Sequence, residues 1–286
     1  MLRILYGEAG TGKSAAIMDE IRRSEGSEVR CILLVPEQYS HEAERELCSV
    51  CGDGLSLYAE VLSFTGLARE VSAECGGTAE EFLDKGGRLL CMALAADGLY
   101  SRLRVYGAAR HRAEIQTMLL GAVDELKSAC VTSEQLLAAA DSCEGALGDK
   151  LFDLGLILEA YDGVVANGSA DPADRLSVLA GQIERSSIGA DTHVFVDGFT
   201  DFTAQERRVL EALMLSGAYL TVCLSCDELG EGSEVFALGR ITASALLRFA
   251  ADNGIETEKT RWTGESTKRR PLSVFAENMF SCRAVE

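Results

Sequence analysis

At 286 residues the chain is long enough for one large domain or two smaller ones, each with an ordinary core. Its 27 basic and 45 acidic residues leave a formal net charge of −18, which disfavours unaided nucleic-acid binding, where Lys and Arg must neutralise phosphates. No apolar run is long enough to span a bilayer, and the N-terminus enters an apolar strand with no room for a signal peptide, so a cytoplasmic protein is expected.

The first predicted element is a short buried strand over residues 2–6. It runs into Gly7-Glu8-Ala9-Gly10-Thr11-Gly12-Lys13-Ser14, a G-x-x-x-x-G-K-S motif, and then into a helix over residues 15–23. Strand, glycine-rich loop and helix in that order are the setting of a phosphate-binding P-loop. Glycines tolerate the dihedrals that turn backbone N–H groups inward around phosphate oxygens. The helix N-terminus adds its partial positive charge. The candidate nucleotide-binding residues are therefore Gly7, Gly10, Thr11, Gly12, Lys13 and Ser14. Lys13 would reach the β- and γ-phosphates of ATP, and Ser14 would offer its hydroxyl to Mg²⁺. The overlapping Gly10-x-Gly12-x-x-Ala15 also fits the dinucleotide pattern, with Glu37 as a late ribose acid. A Rossmann turn has no need of a lysine–hydroxyl pair, and Glu37 lies past the usual spacing.

A second buried strand is expected over residues 29–35, ending in Pro36-Glu37-Gln38, where Glu37 and Gln38 either cap the next helix or border nucleotide or DNA. A helix over 40–48 and a third strand over 58–64 follow. Strands alternating with helices imply right-handed crossovers and a parallel sheet. Between about residues 78 and 186 the strand signal disappears. Ile115, Met118, Leu119, Val123 and Leu126 form one helical stripe, and Leu147, Leu151, Leu154, Leu158 and Tyr161 form another. Both read as core. Thr132 is the expected N-cap of a helix entering at Leu136, with no capping box at Ser133–Gln135, and Asp171-Pro172 opens another helix. The α/β pattern resumes with a strand over 193–197, a helix over 203–216, a strand over 219–225 and a helix over 235–251. The expected organisation is a core of residues 1–77 and 187–286 interrupted by an all-α insertion, 78–186.

P-loop NTPases hold Mg²⁺ with an acid at the end of a neighbouring strand. Val194-Phe195-Val196-Asp197 has that form, which makes Asp197 the second metal candidate beside Ser14; the alternative is that Asp197 caps the turn with Gly198. A hydrolysing motor usually carries a glutamate next, but Gly198 stands there. Glu206 could substitute only if the fold bends it back, so nucleotide binding is better supported than hydrolysis and no catalytic residue is assigned. The pairs Cys48/Cys51 and Cys223/Cys226 invite a zinc reading, but residues an odd number apart on a strand face opposite ways, and reduced apolar fillers are expected. Arg102, Arg104, Arg110 and Arg112, and Lys268-Arg269-Arg270, read as solvated surface. A second reading, an autonomous phosphotransferase, would use the first arginine group as a phosphate clamp. A third is a scaffold with a vestigial loop.

The residues also carry a resemblance. Leu5-Tyr-Gly-x-Ala-Gly-Thr-Gly-Lys-Ser14, Ile32-Leu-Leu-Val-Pro-Glu-Gln38, Val61-Leu-Ser-Phe64, Asp124-Glu-Leu-Lys127, Lys150-Leu-x-Asp-Leu154, Tyr161 and Val196-Asp-Gly-Phe-Thr-Asp-Phe-Thr-Ala-Gln-Glu206 occur in the order of the N-terminal region of the AddB family, the B subunits of bacterial ATP-dependent helicase/deoxyribonucleases. The resemblance implies a superfamily 1 helicase-like fold whose 1A-type core carries a 1B-type helical insertion, with ATP and Mg²⁺ as cofactors and Gly198 a family trait. Full-length members continue into a second helicase-like domain and a nuclease domain with an iron–sulfur cluster. Counterparts of those parts are absent here, so a piece of a longer protein is implied and no cysteine is assigned to a cluster. It further implies a heterodimer with an A-type helicase/nuclease subunit, DNA contact mainly through the full complex, and a role in double-strand break resection for homologous recombination.

Overall fold

The computed structural model describes residues 1–76 and 82–264. The expected boundary near residue 78 and the Lys268-Arg269-Arg270 group lie outside the described residues. The described chain divides into two compact units.

The first unit comprises Met1–Leu67, Ile183–Phe202 and Leu210–Glu286. It contains a six-stranded, all-parallel sheet of β1 (Leu2–Gly7), β2 (Arg30–Leu34), β3 (Ala59–Leu62), β4 (Thr192–Val196), β5 (Tyr219–Ser225) and β6 (Thr257–Arg261), in the order β3-β2-β4-β5-β1-β6. Strands β2, β4 and β5 are buried almost throughout, which is why they read in sequence as continuous apolar runs and not as alternations. The third strand is shorter than expected, because Phe64 already opens the next helix. Strand β6 had no sequence signal. Its residues Thr-Glu-Lys-Thr-Arg are polar and mostly exposed on the sheet edge, and the ladder to β1 alone makes them a strand.

Helices α1 (Lys13–Arg23) and α2 (Ser40–Cys51) cover one face of this sheet. Ile17, Met18, Ile21, Ala43 and Leu47 pack there against Leu5, Cys31, Leu33, Phe195 and Cys223. Burying about ten such side chains supplies most of this layer's stability, at roughly 25 cal/mol per Å² removed from water. The C-terminal edge of the sheet is where parallel α/β folds build their sites, and loop 7–12 lies there.

The second unit comprises Ala68–Gln182 and Thr203–Val209 and is helical. Helices α3 (Phe64–Glu74) and α9 (Ala204–Leu215) carry the chain across the division. Between them lie α4 (Lys85–Gly98), α5 (Ala113–Ser128), α6 (Ser133–Asp141), α7 (Ala146–Val165) and α8 (Arg175–Gln182), with α10 (Ala237–Asp252) later in the first unit. Met92, Leu119, Leu120, Val123, Leu156, Ile157 and Tyr161 form the helical core. Two members of the expected stripes depart from it: Leu147 and Met118 are 59% and 46% exposed. Helix α7 buries Leu156 and Ile157 as well as Leu158, so its buried surface is wider than one stripe.

Thr132 caps α6 as expected, and a capping box that the spacing of Ser133 and Gln135 did not announce is present. Gln135 N–H donates to Thr132 Oγ1 (3.3 Å), while Thr132 N–H donates to Gln135 Oε1 (3.0 Å). Asp153, in the Lys150-Leu-x-Asp-Leu154 segment, is fully buried and accepts from the backbone N–H groups of Arg104, Val105 and Tyr106 at 2.8, 2.8 and 3.0 Å. Its carboxylate anchors a loop. Among the described residues no helix is long and apolar enough to cross a membrane.

Candidate phosphate-binding site

Strand β1 ends at Gly7, and α1 begins at Lys13, two residues earlier than expected, so Lys13 and Ser14 stand in its first turn. Gly12 is the N-cap, with φ 85°, and Gly10 has φ 80°. These are left-handed conformations that an L side chain adopts only under strain. No side chain caps the helix and no acidic residue occupies its first turn. The first α-helical bond runs from Ala16 N–H to Gly12 C=O (3.0 Å), so the N–H groups of Ser14 and Ala15 precede the intrahelical ladder. A helix N-terminus of this kind suits an anion.

Lys13 is 7% exposed, and its ammonium donates to the carbonyls of Gly7 and Glu8, both at 2.7 Å. The loop therefore closes around the lysine head, with Thr11 Oγ1 donating to Glu8 C=O (2.9 Å) as a further brace. Ser14 is exposed at the helix start.

Asp197 follows β4, its N–H donating to Leu34 C=O (3.0 Å) across the ladder to β2. One strand, β5, separates β4 from β1. On β5, Cys223 pairs with Leu5, and its neighbour Val222 pairs with Val196, so Cys223 lies beside Asp197. Burial pushes the Cys223 thiol up, as do the charge of Asp197 and a hydrogen bond with it, while Lys13 pulls the other way. Lys13 and Asp197 thus act with opposite sign on the Cys223 thiol. Gly198 has φ 82°, and a Cβ there would lie 3.3 Å from Pro36 Cδ. A glutamate immediately after Asp197 would be strained in this backbone.

Glu206 is not available as a substitute. Its Oε2 accepts from Thr203 N–H (2.8 Å) while its own N–H donates to Thr203 Oγ1 (3.2 Å), a capping box at the start of α9. Glu37 and Gln38 are exposed in the 3-10 turn Glu37–Tyr39, where the carbonyl of Glu37, not its carboxylate, accepts from Ser40 Oγ (2.8 Å). Arg104 pairs with Asp149 (2.9 Å) and lies over the Phe152 ring, and Arg110 pairs with Asp97 (3.1 Å) and lies over Tyr100. Cys223 is buried within β5, and Cys226 lies beyond the strand end, its thiol donating to Glu228 C=O (2.8 Å).

Two segments of the family resemblance meet in space. Phe64 packs edge-on against Phe199 and Phe202, with centroids 5.4 and 6.3 Å away. The segment after Asp197 is thereby fastened to the end of the third strand's connection.

A family model described as "ADDB, N-terminal" matches residues 4–274. Proteins named as the B subunit of an ATP-dependent helicase/deoxyribonuclease align along most of the chain. The one from Clostridium kluyveri is 30% identical over 266 residues, covering 90% of this chain and 23% of the relative. Those from Desulforudis audaxviator and Heliobacterium modesticaldum are 34% and 35% identical, each over 90% of this chain, and 23% and 22% of their own lengths are covered. The chain spans about a quarter of the length of the relatives it matches, and with a family model covering nearly all of it, it belongs to the AddB N-terminal family.

Proposed function

We propose that this chain is the N-terminal, nucleotide-binding, helicase-like module of an ATP-dependent helicase/deoxyribonuclease B subunit. The observation that carries the reading is the Lys13 ammonium held on the Gly7 and Glu8 carbonyls at an uncapped helix N-terminus. The residues fit Mg-ATP. The N–H groups at the start of α1 and the Lys13 ammonium would hold the phosphates, with Gly10, Thr11 and Gly12 shaping the loop and Ser14 and Asp197 directed to the Mg²⁺. Bound Mg²⁺ would neutralise phosphate charge.

This chain's own residues bind and orient; turnover has little support. The position after Asp197 is strained for a glutamate and Glu206 serves a helix cap, so neither candidate supplies a general base for water. Two of the four arginines of the phosphotransferase reading's clamp, Arg104 and Arg110, are engaged by Asp149 and Asp97, which weakens that reading. At the level of the whole protein, the relatives' name supports a subunit of an ATP-dependent helicase/deoxyribonuclease, and so a partner subunit. That the partner is an A-type helicase/nuclease subunit, and that the complex resects double-strand breaks for homologous recombination, is part of the proposal. The charge of −18 suits a module lying against a partner better than one gripping DNA alone.

The test is calorimetric titration of the chain with Mg-ATP beside Lys13→Ala. Saturable binding that the variant loses is the expected result. Absence of binding by both proteins overturns the nucleotide reading of this chain.

A further inference from the structure

We infer that Trp262 is a positioning residue for the phosphate loop, resting on the nucleotide-binding reading of residues 7–14, and that it couples the state of that loop to the chain leaving β6. The indole N–H of Trp262 donates to the Thr11 carbonyl at 2.8 Å. That carbonyl lies between Gly10 and Gly12, the two left-handed residues, and so in the part of the loop with the greatest backbone freedom. The backbone N–H of Trp262 donates to Tyr6 C=O at 2.7 Å, continuing the β1–β6 ladder to the point where the loop begins. One residue therefore holds both the entry and the interior of the loop.

The contact is closely built. A Cβ at Gly264 would lie 2.4 Å from Thr11 O and 2.5 Å from Trp262 Nε1, the two atoms of the hydrogen bond itself. Glycine at 264 is what allows the chain to pass the bond. The ring of Trp262 packs against the cluster that includes Leu5, Ile17 and Cys223. The five residues of strand β6 are polar and mostly exposed, and Arg261 at its end pairs with Glu228 (2.7 Å). An anion drawn onto the loop would reorient the peptide units around Thr11, and the indole N–H follows that carbonyl or releases it. By linkage, a bond that favours the anion-binding loop strengthens anion binding, and the anion strengthens the bond.

The experiment uses Trp262→Phe, which keeps a ring and removes the donor, with Gly264→Ala as a second variant that wedges the same bond and leaves the indole in place. Amide hydrogen exchange over residues 8–15 is measured without nucleotide, followed by Mg-ATP affinity and thermal midpoint. Faster exchange confined to the loop and roughly three- to tenfold weaker Mg-ATP binding are expected in each variant, the yield of one lost hydrogen bond. Because Trp262 is the only tryptophan, its emission should also change on Mg-ATP addition with the calorimetric midpoint, and not in Lys13→Ala. If Trp262→Phe does not fold, Gly264→Ala decides. Unchanged loop exchange in the folded variants overturns the positioning role. If the wild-type chain binds no Mg-ATP, the nucleotide reading and the coupling both fail, while loop exchange still decides whether Trp262 holds the loop.

Discussion

Arg88 Nε lies 2.8 Å from Asp171 Oδ1, and this carboxylate is almost completely buried. Its other oxygen accepts from Lys127 Nζ at 3.1 Å, and Lys127 also pairs with Asp162 (2.8 Å) and Asp174 (2.6 Å), while Arg88 pairs with Asp124. Asp124, Lys127 and Tyr161, residues of the family-like segments in the helical region, thus belong to one ionic cluster in the helical unit, with the Tyr161 hydroxyl 3.3 Å from Arg88 Nε. Burial would raise the Asp171 carboxyl, but the Ala173 N–H and the Lys127 and Arg88 charges outweigh it and hold the group below its ordinary value.

Asp171→Asn takes the shared buried counter-ion from Lys127, which is buried, and Arg88, which is half-buried, leaving them Asp162, Asp174 and Asp124, and the expected cost is about 3 kcal/mol. Because the folded value lies below the unfolded one, this stability is present above the ordinary carboxylate range and is lost as pH falls through the folded value. Urea unfolding at pH 7 and at progressively lower pH checks it. The gap between wild type and variant should be widest at neutral pH and close on acidification.

His193 gives a second pH dependence, in the sheet. It lies between the rings of Phe195 and Tyr219, with centroids 3.7 and 4.1 Å away, and its Nε2 is 2.8 Å from Thr221 Oγ1. Burial, with a smaller contribution from Arg3, brings its pKa down to about 3. The unfolded chain takes up the proton below about pH 6.5 and the folded chain does not. Stability from this group is therefore complete above that pH and declines by up to about 1.4 kcal/mol per unit between 6.5 and 3. His193→Gln should flatten the wild-type slope of unfolding free energy between pH 6.5 and 5; an identical slope in the variant would contradict the assignment.

Asp153→Ala removes the carboxylate that accepts from three backbone N–H groups, those of Arg104, Val105 and Tyr106. Leaving buried donors unsatisfied should cost about 3 kcal/mol. Equilibrium denaturation gives the magnitude, and amide exchange should localise the loss to residues 104–106.

Asp197→Asn keeps shape and removes charge. If Asp197 acts toward Mg²⁺, the variant should weaken Mg-ATP binding about tenfold or more and leave binding of metal-free ATP largely unchanged. Equal losses with and without the metal would assign Asp197 to the fold alone.

Much of the architecture was legible because its signals are local. Continuous apolar runs marked β2, β4 and β5, since strands covered on both faces need no alternation. The loop at 7–14 was legible because its glycines meet a backbone demand that few other residues can meet, and Gly10 and Gly12 have the left-handed φ values that demand implies. Thr132 announced a helix start because a cap acts within one turn.

What the tertiary structure alone decided depends on contacts between residues far apart in the chain. Strand β6 exists because β1 offers an edge, and its Thr-Glu-Lys-Thr-Arg sequence carries no periodicity to announce it. Glu206 has the chemistry of a water-orienting residue, but its carboxylate accepts from the Thr203 N–H, a contact set by the backbone at the start of α9. Arg88, Lys127 and Asp171 look like ordinary surface charges on separate helical segments until packing brings them together. Composition and spacing determined strands β1 to β5 and the loop; the existence of β6, the order of the strands, the pairing of charges in the helical unit and the hold of Trp262 on Thr11 came from packing, because their energies arise only when distant segments exclude water together.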